Sequence, residues 1–193
     1  MEAVNAMLVC AFLEVFVPFD IHDRLVDDEG YVDEDAVERY QRELLRLFRA
    51  SPEARALRQQ SIRLEWAELM LEFALNDLDL TLPRVDDDDL LTILLEYFPG
   101  KTLMDVEDIG AVLVELRAFW EFVKREYRLR NARTCLRVLN RRTAQRMALA
   151  IGGVWLALDD DDEDLELPRW LEILLETSFR LWIRLQERLG RRS

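Results

Sequence analysis

Leu64-Glu65-Trp66-Ala67-Glu68-Leu69-Met70-Leu71-Glu72-Phe73-Ala74-Leu75 is apolar on most sides of a helical turn. Its polar groups fall on one narrow stripe, formed by Arg58, Ser61, Glu65, Glu68, Glu72 and Asn76. A helix this apolar must be enclosed by other helices, so the stretch predicts the centre of an all-α fold. Upstream, Ser51-Pro52-Glu53 supplies an N-cap hydroxyl, a proline where no amide hydrogen is needed and an acid facing the helix dipole. The helix is therefore expected over 52–78.

The same period extends outward in both directions. Val4, Met7, Leu8, Phe12, Val15 and Phe16 predict a helix over 3–17, stopped by Pro18. Asp33 caps the next, over 34–49, with Val37, Tyr40, Leu44, Leu45 and Phe48 inward. Further helices are expected over 87–98, ending at Pro99-Gly100, and over 106–128, with Val112, Leu116, Phe119, Trp120 and Val123 on one face. Two more fall over 132–158, interrupted by Gly152-Gly153, and over 168–189. The sum is an all-α, single-domain bundle of about seven helices spanning 1–193, arranged around the 52–78, 106–128 and 132–158 helices. At 50% apolar and 34% charged, with 6 glycines and 5 prolines, the composition opposes both disorder and a turn-rich β fold.

Leu80-Thr81-Leu82-Pro83-Arg84 before Leu91-Thr92-Ile93-Leu94-Leu95-Glu96 parallels Leu165-Glu166-Leu167-Pro168-Arg169 before Leu171-Glu172-Ile173-Leu174-Leu175-Glu176. This suggests an internal pseudo-repeat in which the 52–78 and 87–98 helices mirror the last two. The alternative is that two helix starts independently select leucine, proline and glutamate.

The segment Leu95-Glu96-Tyr97-Phe98-Pro99-Gly100-Lys101, with Leu116-Arg117-Ala118-Phe119-Trp120-Glu121-Phe122-Val123, resembles a helical stretch in bacterial proteins of unassigned activity. The resemblance covers about 50 residues and implies an all-helical fold and no activity. Some larger proteins with similar stretches carry a cysteine-rich zinc-binding tail, which this sequence lacks, so that role is not implied.

Charge is unevenly distributed along a chain of net charge −13. Residues 1–123 carry 11 basic and 28 acidic side chains, residues 124–146 carry 9 and 1, and residues 147–193 carry 6 and 10. Within the basic island, Arg130, Arg133, Arg137 and Arg141 recur at helical spacing, with Arg142 and Arg146 beside them. They predict a ridge about 16 Å long on one helix, able to meet an acidic protein face or a row of phosphates. The net charge repels a polyanion at long range, which favours a protein partner over nucleic acid. Excess apolar surface on the 3–17 helix and around 152–158 also suggests a homo-oligomeric contact.

Enzymatic chemistry has weaker support. The one histidine, His22, sits among acids in a loop without a spaced metal set. With Gly30 at the sixth position of an EF-hand, Leu25 and Ala36 would replace the first and last ligands, which rejects that motif. Glu65, Glu68 and Glu72, completed by Asp105 and Asp108, are the best metal-binding alternative and would suit a divalent-metal-dependent hydrolase. Otherwise that stripe is solvent-facing, Asp86 and Asp89 cap a helix, and the acids of 159–164 form a hydrated connector. Cys10 and Cys135 fall in apolar-periodic segments and read as reduced core residues. No cofactor motif, basic signal-peptide region or 18-residue apolar span is found, so a cytoplasmic, non-enzymatic interaction or regulatory module is expected.

Overall fold

A computed structural model describes residues 19–26 and 29–151 of the chain. The expected 3–17 and 168–189 helices, the 152–158 part of another, the second repeat copy, Cys10, the 159–164 connector and the suggested homo-oligomeric contacts lie outside the described residues. What is described is all-α. Its α-helices are α1 (Glu34–Ala50), α2 (Pro52–Arg58), α3 (Trp66–Glu72), α4 (Asp87–Thr92), α5 (Phe98–Lys101), α6 (Ile109–Tyr127), α7 (Ala132–Val138) and α8 (Arg141–Ile151).

Short polar caps set several starts. Asp33 accepts the Ala36 amide at 3.0 Å, and Ser51 Oγ accepts that of Ala54 at 3.2 Å, which turns the chain from α1 into α2. Reciprocal capping boxes form between Asp86 and Asp89 and between Asp105 and Asp108, the second at a 3-10 turn, Val106–Asp108, leading into α6.

Three boundaries differ from expectation. The 52–78 helix is two helices, because α2 ends in a Schellman pattern: Ser61 adopts φ 60°, Ser61 N–H donates to Arg58 O, and Ile62 N–H donates to Leu57 O. The 132–158 helix is also divided. Leu139 leaves helical geometry at ψ 70°, and Asn140 Oδ1 accepts the Thr143 amide at 3.2 Å to begin α8. Conversely, the 87–98 helix runs on through Pro99. Its backbone widens into a π turn, Ile93–Tyr97, in which Phe98 N–H reaches back to Ile93 O; a normal turn would drive the proline ring against the carbonyl four residues earlier.

The centre of the fold is α6. Val112, Leu116, Phe119, Trp120 and Val123 are fully buried, and the helix packs against α2, α3, α7 and α8. Phe48 of α1 meets Phe119 edge-on at 5.2 Å between ring centroids, while Trp66 and Phe73 both reach Phe98 at 5.8 Å. Each such buried ring contributes roughly 1.5–3 kcal/mol through apolar area removed from water. Glu53 receives Arg125 on both carboxylate oxygens, at 2.8 and 3.1 Å, and ties α2 to α6.

Candidate interaction surface and cleft

Helix α7 is held by its inner side. Asn131 Nδ2 donates to Leu82 O at 2.8 Å and to Val85 O at 2.6 Å, while Ala132, Cys135, Leu136 and the following Leu139 are buried. The Cys135 thiol lies 3.6 Å from Asp86 O, and burial, with the nearby Asp87 and Asp86 carboxylates adding to it, pushes its pKa up to about 12. It is an inert core thiol, as its spacing suggests.

Fixing that side turns Arg133 and Arg137, one helical turn apart, toward solvent, with exposed Arg130 just before the helix. Several arginines elsewhere are paired with acids, Arg42 with Glu38 at 3.1 Å, Arg46 with Glu43 at 2.8 Å and Arg49 with Glu68 at 2.6 Å, while others, Arg24, Arg39 and Arg84 among them, are exposed without an ion pair among the described residues. Among the described residues, Arg130, Arg133 and Arg137 have no ion-pair partner. The continuous ridge expected from the arginine spacing is interrupted. Arg141 opens a different helix beyond the Leu139-Asn140 break, so the regular spacing stops at Arg137.

Glu65, Glu68 and Glu72 are all exposed, but only Glu68 and Glu72 lie on α3, because Glu65 precedes its first turn outside helical geometry. Glu68 is engaged by Arg49, and Asp105 and Asp108 are engaged with each other's backbone amides at the start of α6. Among the described residues, no group of three histidine, cysteine or acidic side chains is placed to hold a metal ion.

Two charged side chains escaped the sequence reading. Glu115 is fully buried, and its carboxylate accepts the amides of Glu65 at 3.1 Å, Trp66 at 3.1 Å and Ala67 at 2.9 Å. It thereby caps α3 from α6, placing negative charge at the positive end of a helix dipole. Desolvation raises its pKa to about 7, while the three amides pull it down. Two residues on, Arg117 donates to Leu139 O at 2.7 Å and Leu136 O at 3.3 Å, supplying positive charge where α7 ends. Glu115 is one turn from both Val112 and Phe119, so its place on the buried face was legible in its spacing.

A separate cleft of about 470 Å³ opens between segments 22–26 and 79–84. Val37 of α1 and Leu75 of the π turn Phe73–Asp77 line it, together with Leu25, Val26, Val32 and Leu80. An antiparallel bridge joins Val26 and Val32, and Tyr40 Oη donates to Ile21 O at 3.1 Å to hold the near wall on α1. His22, Asp23, Arg24, Asp79, Thr81 and Arg84 supply its polar lining.

The chain matches no protein family, no curated protein and no solved structure. Among the described residues, no helix is long and apolar enough to cross a membrane.

Proposed function

We propose that this protein is a cytoplasmic interaction module whose α7 surface binds an acidic face of another protein. The observation that supports this reading is the exposure of Arg133 and Arg137 on α7, a helix held by its inner side, and of Arg130 just before it, without ion-pair partners among the described residues. Guanidinium groups held on one helical face form charge-assisted, bidentate bonds to carboxylates, and the rigid helix limits the conformational entropy lost on binding. A protein carboxylate surface suits the cluster better than a long polyanion does, because the chain as a whole carries −13.

A short fluorescent peptide of four glutamates, read by anisotropy beside duplex DNA, tests the proposal. The expected result is peptide binding that weakens with salt, and that weakens by at least about tenfold in the triple variant Arg130→Glu, Arg133→Glu and Arg137→Glu. Far-UV circular dichroism of the variant should be unchanged. No peptide binding, or tighter binding to the duplex, overturns the proposal, the second in favour of nucleic-acid recognition.

A further inference from the structure

We propose that the cleft between segments 22–26 and 79–84 binds a small zwitterion with an apolar body, the chemistry of a short aliphatic peptide with free ends. Its volume of about 470 Å³ lies within the range of small-ligand sites. The apolar side is made by Leu25, Val37, Leu75 and Leu80. Each wall then presents one acid and one guanidinium, Asp23 with Arg24 and Asp79 with Arg84.

All four charged groups are exposed, and among the described residues none has an ion-pair partner. Their charges cancel. A simple anion would meet carboxylate repulsion together with guanidinium attraction, whereas a ligand carrying both an ammonium and a carboxylate satisfies both kinds of group. Its aliphatic body would cover the half-buried Leu25 and Leu80 and the exposed Val26 and Val32, at about 25 cal/mol per Å² of apolar surface removed from water.

The backbone of the far wall fixes the place of Asp79. After the π turn, Leu80 N–H bonds to Ala74 O at 2.8 Å and Asp79 is held at φ 53°. This left-handed cap ends the π turn and sets Asp79 on the cleft wall. Val26 and Val32, both in the lining, are also among the exposed large apolar side chains of the described residues. None of Arg130, Arg133 and Arg137 lines the cleft, so this inference is independent of the α7 surface.

His22 is the single histidine of the chain and lines the cleft, so its imidazole proton resonances report occupancy in the full-length protein. Leucyl-leucine at constant pH should shift them saturably. N-acetyl-leucinamide, which has neither charge, and isocaproate, which has no ammonium, should not saturate over the same range. Asp79→Asn retains a residue that tolerates the left-handed region, and Arg84→Gln changes an exposed side chain; each should weaken leucyl-leucine binding by about tenfold with unchanged circular dichroism. No shift with leucyl-leucine at millimolar concentration, or equal saturation by isocaproate, overturns the proposal.

Discussion

Glu115 carries a carboxylate without solvent contact, held by three amide hydrogens and, among the described residues, by no cation. Its pKa is raised from 4.5 to about 7, so the folded chain binds this proton more tightly than the unfolded chain does. Stability from this group is therefore greatest below pH 4.5, falls as the pH rises from there to about 7, and stays low above. At 1.36 kcal/mol per pKa unit the span is about 3 kcal/mol. Urea midpoints measured across that range should show this downward contribution, and Glu115→Gln should remove it. The substitution should also cost about 1–3 kcal/mol at pH 5, because an amide NH₂ faces backbone donors that need acceptors. An unchanged pH slope in the variant would assign the dependence to other groups.

At the scale of elements, Ser61 ends α2 in a conformation that glycine adopts without steric cost. Ser61→Gly should therefore stabilise the protein by roughly 0.5–1 kcal/mol, read as a higher denaturation midpoint with an unchanged slope; a loss of stability would contradict the steric account. The same residue explains why this break was hidden from the sequence. Starts marked by local caps, at Asp33, Ser51-Pro52 and Asp105, were legible because donor and acceptor lie within one turn. The start of α3 depends on Glu115, some fifty residues away, and the end of α2 on a left-handed serine, so neither leaves a nearby glycine or proline signal. Pro99 gave the opposite error, since the π turn absorbs the clash that normally ends a helix. For the candidate surface, arginine spacing located the exposed residues. Continuity from Arg137 to Arg141 was misjudged because Asn140, an ordinary polar residue by composition, restarts the helix.

For the whole molecule, the described helices share one apolar core in which rings of α1, α3, α5 and α6 are neighbours. Phe119 sits among Phe48, Trp120 and Phe122 with no solvent exposure. Phe119→Ala should cost about 3–5 kcal/mol through lost burial and the cavity left behind. Because the described core is shared, far-UV circular dichroism and the fluorescence of Trp66 and Trp120, read with Trp155, Trp170 and Trp182 replaced by Phe, should report one transition; two separated transitions would instead divide the described helices into independent folding units. The polar surfaces sit outside this core, so charge reversal on α7 and substitutions in the cleft test recognition with little change in packing.

Helix α6 acts like a key with two differently cut teeth. Glu115 fits the amide end of one neighbour and Arg117 the carbonyl end of another, while the aromatic shank beyond them fills the lock. One residue inserted between Arg117 and Phe119 would swing the teeth by about 100° relative to the shank. A change in the length of this central helix should therefore be tolerated far less than a change in the identity of an exposed side chain.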